Sequence, residues 1–390
     1  MNYKISPPTK VVNCEIDLPA SKSISNRLLI IQALCKGKFT ITNLSDSDDT
    51  KTLQTALNST NNIIDIGAAG TSFRFLTAYL STLSNQEFIL TGNNRMKERP
   101  IKGLVDTLQE LGAQIIYSDK VGFPPLSIKG INLTGGKVKI DGSTSSQFIT
   151  ALLLIAPTLQ EGLILEISGE IVSKPYILMT LKLMEEFGVS YTWKGNTIEV
   201  EQQEYNSKNY TVEADWSAAS FWFEIASLSE NCIIKLKGLS KNSIQGDKDV
   251  VHIFRNLGVQ TEFENGELIL SKKETNQIPS KINLVNTPDL YQPLKCTLFA
   301  KGKNTKFLGI QTLKHKETNR VEAVENELQK LTSSKIIKTY KDHRMAMSFA
   351  PLCLKYGVLQ INDVEVVSKS YPNFWEDLKK GGFTIEILIH

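Results

Sequence analysis

One pattern recurs along the chain and limits its fold more than any other feature. The segments LVDTLQELGAQIIY (104–117), LKLMEEFGVSYTW (181–193) and VHIFRNLGVQTEF (251–263) each read as an amphipathic helix, a glycine and a β-rich run. Glycine directly after a helix supplies the left-handed C-cap, which predicts stops at Gly112, Gly188 and Gly258. FWEDLKKGGFTIEIL (374–388) repeats the form, and VENELQKL (324–331) reads as a damaged copy. A second kind of segment alternates with the first: RLLIIQALCKGKFTITN, RFLTAYLSTLSNQEFILTG, FITALLLIAPTLQEGLILEISG, FWFEIASLSENCIIKLKG, LKCTLFAKGKNTKFLGI and MAMSFAPLCLKYGVLQIND. Each is a helix followed by a strand. Its helix is apolar nearly all round, as a buried helix is, whereas the first kind turns one face to water.

Repeats at this spacing describe a modular α/β fold whose units share buried helices. Six helix pairs can be drawn. Two are short: 52–67 has room for a helix start and one strand, and 331–344 is similarly trimmed. An ordinary pair of α/β domains with coincidental helix–strand alternation fits the spacing alone equally well.

With 390 residues and a 41% hydrophobic fraction, the chain has material for two or three cores. A net charge of only +3 does not suggest a nucleic-acid coat or a polybasic membrane tail. No run approaches the roughly 18 apolar residues of a membrane span, and the amino-terminal MNYKISPPTK has no secretory character. The five cysteines are scattered with no C-x-x-C pair, and only four histidines are present. A disulfide framework and a zinc site are therefore not expected, and reduced thiols in a cytoplasm are.

The chemistry is concentrated in short basic segments far apart in sequence: LPASKSISNR (18–27), NNRMKERP (93–100), KHKETNR (314–320), KDHRMAM (341–347) and SKSYPNFW (368–375). Each sets Lys or Arg beside hydroxyls, a carboxylate or a His, a setting suited to phosphate and carboxylate groups. Gathered together they would form one anion-binding cleft. In the first segment, Ser21, Ser23 and Ser25 can cap a helix while Lys22 and Arg27 add charge. A solvated, serine-capped surface helix explains that segment as well. GAAGTSFRFL (67–76) places Gly67 and Gly70 where backbone amides could approach an oxyanion, but it lacks P-loop spacing and a simple turn accounts for it. GSTSSQF (142–148) clusters Ser143, Thr144, Ser145 and Ser146 before a buried helix; a capped polar loop is the common outcome of such runs. Glu317, Arg320, His343 and Arg344 combine proton carriers with fixed cations, although a structural His is an equal reading of His343. Asp289 lies in TPDLYQP (287–293), where turn formation is its default role.

Taken together, SKSISNR, AGTSFR, RMKERPI, GSTSSQF, VSKPY, NSIQGD, KETNR and DHRMAM closely resemble the 5-enolpyruvylshikimate-3-phosphate synthase family of enolpyruvyl transferases, in colinear order from about Leu18 to Trp375. The resemblance implies six β-α-β-α-β-β units in two similar globular domains, an inside-out α/β barrel type with buried helices. One domain would span 20–214 and the other 1–19 with 215–390, joined by two crossovers. It also implies transfer of the enolpyruvyl group of phosphoenolpyruvate to the 5-hydroxyl of shikimate-3-phosphate with release of phosphate. No metal or organic cofactor, nucleic acid or membrane is implied, and the expected molecule is a cytoplasmic monomer and a glyphosate target.

Carried onto matching positions, the resemblance has Ser145, Ser146, Ser173 and Lys316 hold the shikimate phosphate, and Ser23, Arg27, Tyr176 and Asp289 hold its ring and carboxylate. Lys22, Arg99, Gln147 and Lys369, with the Gly70 amide, would meet the phosphate of phosphoenolpyruvate; Gln147 would border both substrates. Arg320 and Arg344 would clamp the phosphoenolpyruvate carboxylate. Lys22, Asp289, Glu317 and His343 are the proton-handling candidates. The chain departs from the family at Ala68 (often Asn), Phe75 (often Pro), Thr312 (often Asn) and Asn319 (usually Asp). Two other readings stay open here: the related transferase acting on UDP-N-acetylglucosamine, which uses a loop Cys with no counterpart in this chain, and a non-catalytic phosphate- or RNA-binding relative.

Overall fold

The computed structural model describes residues 1–9, 11–274 and 278–388. Twelve helices carry the repeat in pairs: α1 (Lys22–Leu34) with α2 (Asp48–Leu57), α3 (Gly70–Ser81) with α4 (Lys102–Glu110), α5 (Ser146–Ile155) with α6 (Lys174–Glu186), α7 (Trp216–Leu228) with α8 (Val250–Arg255), α9 (Tyr291–Ala300) with α10 (Arg320–Lys330), and α11 (His343–Phe349) with α12 (Phe374–Lys380). The first member of each pair is the apolar kind. Every residue of α11 is buried, and so is the whole of 148–155 in α5. The second member is one-sided: α4 buries Leu104, Val105, Thr107 and Leu108 and exposes the opposite face. Gly112, Gly188 and Gly258 follow α4, α6 and α8 at φ of 99°, 84° and 90°, as the C-cap argument requires.

The chain divides into two compact units, Lys22–Val212 and Met1–Ser21 with Glu213–His390. In the Lys22–Val212 unit one sheet runs Ile63–Asp65, Glu87–Thr91, Leu126–Lys129, Gln114–Tyr117, and another runs Thr192–Lys194, Thr197–Val200, Leu163–Ser168, Gly136–Asp141. Each is a parallel pair extended by an antiparallel hairpin. The other unit repeats this with Val12–Asp17, Cys232–Lys237, Glu267–Lys272 and Val259–Glu264, whose hairpin turns through Asn265 and Gly266 at φ of 51° and 81°. Positive φ at both central residues is the demand of a tight hairpin turn, and Asn-Gly meets it at least steric cost. In the last sheet, Asn2–Ser6 pairs with both Leu359–Asn362 and Thr384–Leu388, so the first strand of the chain completes the final repeat.

The two trimmed stretches have a structural counterpart. Among the described residues, Ile41–Thr42 pairs only with Tyr210–Thr211, and Lys306–Leu308 only with Lys281–Asn283, both in parallel. These are the sheets of the α1/α2 and α9/α10 repeats. After α2 the chain goes to Ile63–Asp65, and after α10 to Ile336–Ile337, strands of the following repeats. Among the described residues each unit therefore has two four-stranded sheets and one reduced to its parallel pair. Very short edges expose few unpaired backbone groups.

Helices α7, α9 and α11 pack together in the interior of their unit. In the other, α1, α3, α5 and α6 do the same. The apolar helices α1, α3, α5 and α11 begin in SKSISNR, GAAGTSFR, GSTSSQF and KDHRMAM, and NNRMKERP, KHKETNR and SKSYPNFW lead into the one-sided helices α4, α10 and α12. Packing the helices therefore brings motif-bearing helix starts together within each unit.

Candidate active site

In the Lys22–Val212 unit the motif residues collect at helix starts, where unpaired amides and the helix dipole favour anions. Lys22 opens α1, and its Nζ lies 3.1 Å from Asp49 Oδ2 in the first turn of α2. The Asp49 carbonyl accepts from Ser72 Oγ of α3 at 3.1 Å, which ties three helix starts together. Gly70 is the first residue of α3, and the Arg99 guanidinium lies against it: a Cβ built on Gly70 would stand 2.1 Å from Arg99 Nη1. Gln147, near the start of α5, donates to Thr71 Oγ1 at 3.0 Å. Ser145 caps α5 by accepting from the Gln147 amide, and Ser146 follows as its first residue. Ser173, at φ 56°, precedes α6, with Tyr176 in its first turn.

Two hydroxyl candidates are otherwise engaged. Ser143 donates its amide and hydroxyl to Asp141 Oδ1 at 2.8 and 2.7 Å, and Thr144 Oγ1 donates to Oδ2 at 3.2 Å. The loop uses these two to fix its own shape. Ser25 is also buried, accepting from the Ser45 amide at 3.0 Å. Arg27 is deeply buried and held by neutral acceptors: Thr180 Oγ1 at 2.8 Å, the Ser23 carbonyl at 2.7 Å, the Tyr176 carbonyl at 3.2 Å and Thr150 Oγ1 at 3.4 Å. Its guanidinium also lies 5.6 Å from the centroid of the Phe75 ring. Burial without a carboxylate partner pushes Arg27 down to about 10.

The other unit gathers Asp289, Lys316, Glu317, Arg320, His343, Arg344 and Lys369. Asp289 sits in the 3-10 turn Pro288–Leu290 that runs into α9. Arg320, at the start of α10 and 2% exposed, meets three carboxylates. Its Nη1 is 2.9 Å from Asp289 Oδ1, Nη2 is 2.8 Å from Glu317 Oε2, and Nε is 2.8 Å from Asp342 Oδ2. Arg344 donates to the Asp289 carbonyl at 2.9 Å and to its Oδ2 at 3.2 Å. Lys316 Nζ is 3.5 Å from Asp289 Oδ1, and Lys369 Nζ is 3.9 Å from Glu317 Oε1. His343 opens α11 and is buried, with Nδ1 3.7 Å from Asp342 Oδ1.

Charge explains how so many ionised groups stay buried. Burial opposes ionisation of Asp289, but Arg344, Lys316 and Arg320 outweigh it and hold its carboxyl well below the usual carboxylate range. Burial likewise disfavours the Arg320 cation, and Asp342, Glu317 and Asp289 reverse that, holding it charged. Asp247, buried and near the negative Asp289, is pushed up to about 6 despite Arg344.

Three carboxylates escaped the sequence reading. Asp342, fully buried, caps α11 through the Arg344 amide at 2.9 Å and fixes Arg320. It lies inside KDHRMAM, so its position before a helix was a usable signal. Asp49 had a weaker one, an acid in the first turn of a helix. Asp247 lies in NSIQGD, where nothing local marks it.

Five buried or half-buried cysteines, all free, are Cys14, Cys35, Cys232, Cys296 and Cys353. Among the described residues no group of His, Cys, Asp and Glu is arranged to hold a metal, and no helix is long and apolar enough to cross a membrane.

The sequence model of the family described as EPSP synthase (3-phosphoshikimate 1-carboxyvinyltransferase) matches residues 7–61 and 52–378. The two matches overlap at the trimmed connection after α2. A relative from Bacteroides fragilis, named 3-phosphoshikimate 1-carboxyvinyltransferase, is 46% identical over 409 aligned residues, covering 99% of this chain and 99% of its own. One of the same name from Psychromonas ingrahamii is 36% identical, covering 97% of this chain and 99% of its own. A solved EPSP synthase from Acinetobacter baumannii shares the fold with a TM-score of 0.79 at 21% identity, over the full length of both chains.

Proposed function

The chain belongs to the EPSP synthase family, and from that premise we propose how its residues transfer the enolpyruvyl group of phosphoenolpyruvate to the 5-hydroxyl of shikimate-3-phosphate. The observation that carries the reading is the Arg320 cluster. Asp289 and Glu317 share one buried guanidinium, each flanked by a further cation. Two acids held in place beside fixed cations are what two opposed proton transfers on an anionic substrate require.

Phosphoenolpyruvate becomes electrophilic at C2 when C3 accepts a proton. In this reading Glu317 supplies that proton, and Asp289, held ionised by its cations, receives the proton of the attacking 5-hydroxyl. The resulting tetrahedral adduct loses phosphate as Glu317 takes a proton back from the methyl group, restoring the enol ether. His343 joins Lys22, Asp289 and Glu317 as a proton-handling residue.

Arg320 and Arg344 hold the phosphoenolpyruvate carboxylate. Lys22, Arg99, Gln147 and Lys369, with the Gly70 amide, hold its phosphate, and Lys22 steadies it as it leaves. Shikimate-3-phosphate is held by Ser145, Ser146, Ser173 and Lys316 at its phosphate, and by Ser23, Arg27, Tyr176 and Asp289 elsewhere. Arg27 acts here mainly by fixing the Ser23 and Tyr176 backbone that it binds. The protein works as a cytoplasmic monomer.

Transfer to UDP-N-acetylglucosamine through a cysteine acid is disfavoured because none of the five cysteines lies in one of the basic segments, and Cys14, Cys232, Cys296 and Cys353 are buried. The test is phosphate release from purified protein with shikimate-3-phosphate and phosphoenolpyruvate together and with each alone. Release only with both supports the transferase; release with UDP-N-acetylglucosamine in place of shikimate-3-phosphate would overturn the assignment.

A further inference from the structure

The chain reaches α11 through an unusual turn. In KTYKDHR (338–344), two consecutive residues lie in the left-handed region, Tyr340 at φ 53° and Lys341 at φ 57°. Neither is a Gly, Asn or Asp. The left-handed conformation brings Cβ close to the following carbonyl, so L residues with long side chains avoid it unless their surroundings over-determine it.

The surroundings here are chiefly one helix. Arg320 and Glu327 lie seven residues apart on α10, and therefore on nearly the same face. Arg320 grips the far end of the turn through Asp342, with Nε on Oδ2 at 2.8 Å and Nη2 on Oδ1 at 3.4 Å. Glu327, only 1% exposed, grips the near end. Its Oε2 accepts from the Lys338 amide at 3.0 Å, and its Oε1 accepts from the Tyr340 hydroxyl at 2.7 Å. The turn closes on itself through the Asp342 amide, which donates to the Thr339 carbonyl at 2.9 Å.

Downstream of this grip the geometry passes residue by residue into the charge cluster. Asp342 caps α11 through the Arg344 amide, and Arg344 reaches Asp289. Rotation or slippage of the turn would move the cap, and with it the start of α11 on which His343 and Arg344 sit. The Tyr340 phenol is raised to about 12 by burial and by its bond to Glu327, so it remains a donor at neutral pH.

We propose that Glu327 is a positioning residue: through the Lys338 amide and the Tyr340 hydroxyl it holds the left-handed Tyr340–Lys341 turn, and so sets where Asp342, His343 and Arg344 stand. The inference rests on the reading of Arg344 as a ligand of the phosphoenolpyruvate carboxylate.

The test compares Glu327→Ala, Glu327→Gln, Tyr340→Phe and the double variant Glu327→Ala with Lys341→Asn, in the full chain. Steady-state constants are measured for each substrate, with calorimetric binding of shikimate-3-phosphate alongside. Glu327→Ala is expected to raise KM for phosphoenolpyruvate about tenfold, since small displacements of a binding group are costly. Glu327→Gln keeps one acceptor oxygen and falls between it and the wild type. Tyr340→Phe keeps the ring volume and is expected to raise KM about threefold through loss of one hydrogen bond. Asn tolerates left-handed backbone, so Lys341→Asn recovers part of the loss. Shikimate-3-phosphate affinity stays within about twofold throughout, which a general loss of folding would not allow.

Wild-type constants in Glu327→Ala and Tyr340→Phe, or a fall in shikimate-3-phosphate binding that tracks the rise in KM, would overturn the proposal. Wild-type turnover in the same assay judges the transferase reading separately. An inactive wild type defeats that reading, whereas an active wild type with unaltered variants defeats only the role of Glu327.

Discussion

The two units solve the burial of a guanidinium in opposite ways. Arg27, in the Lys22–Val212 unit, is surrounded by hydroxyls and carbonyls. Arg320, in the other, touches three carboxylates. In the first arrangement the buried cation is held by neutral groups beside several helix starts, the setting proposed above for phosphate. The second is internally compensated, with ionised carboxylates packed around one buried cation, the setting proposed above for proton transfer. The difference teaches that a repeated fold can present the same feature, a buried arginine in the first turns of a helix, in two electrostatic settings.

The largest expected effect tests the proton-handling half. Glu317→Gln should lower kcat for phosphate release by roughly 10²- to 10⁴-fold, with shikimate-3-phosphate binding retained. An equal loss of binding would mean that Glu317 holds substrate instead.

Removing the two arginines contrasts the units directly. Arg320→Met takes the shared counter-ion from buried Asp342 and from half-buried Asp289 and Glu317, and should destabilise its unit by about 3–5 kcal/mol. Arg27→Met strands only neutral acceptors and should cost about 1–3 kcal/mol. Urea unfolding of both variants measures this, and equal losses would erase the distinction between the units.

Gly70→Ala probes the proposed phosphate site. The new methyl would overlap the Arg99 guanidinium in its present place, so Arg99 must shift before any ligand is touched. Loss of one charge-assisted contact predicts a KM for phosphoenolpyruvate raised about tenfold, with inhibition by glyphosate weakened in parallel. Unchanged inhibition would remove Gly70 and Arg99 from the phosphate pocket.

The smallest effect lies away from the site. Glu224, on α7, is fully buried with neither carboxylate oxygen hydrogen-bonded among the described residues, and burial holds its carboxyl well above the usual range. The folded state therefore keeps a proton that the unfolded state releases. This contribution is full below the ordinary carboxylate pKa of about 4.3. It declines as pH rises toward the folded-state value, by at most about 1.4 kcal/mol per pH unit. Glu224→Gln should flatten the fall in unfolding midpoint from mildly acid to neutral pH; matching slopes would show that Glu224 is ionised in the fold.

Much of this architecture was legible in the chain. The period of apolar residues distinguished fully buried helices such as α5 from one-sided helices such as α4, and Gly112, Gly188 and Gly258 marked their ends, because periodicity and left-handed caps are local properties. The short connections after α2 and α10 were also visible as missing length. Their consequence, two sheets reduced to parallel pairs, was not, because strand pairing joins residues about as distant as Ile41 and Tyr210.

At the candidate site, the basic segments announced themselves by composition, and the family resemblance assigned their roles. Charge compensation did not announce itself. That Ser143 and Thr144 serve Asp141, that Asp49 meets Lys22, and that Asp342 fixes Arg320 depends on which loops the buried helices bring together. By itself the sequence determined the helix–strand alternation, the glycine-capped helix ends and the residue types available for chemistry, since these follow from backbone preference and residue type over a few positions. Tertiary structure alone decided which cations are neutralised and how a left-handed turn is held before Asp342, because electrostatic pairing acts through space between groups far apart along the chain.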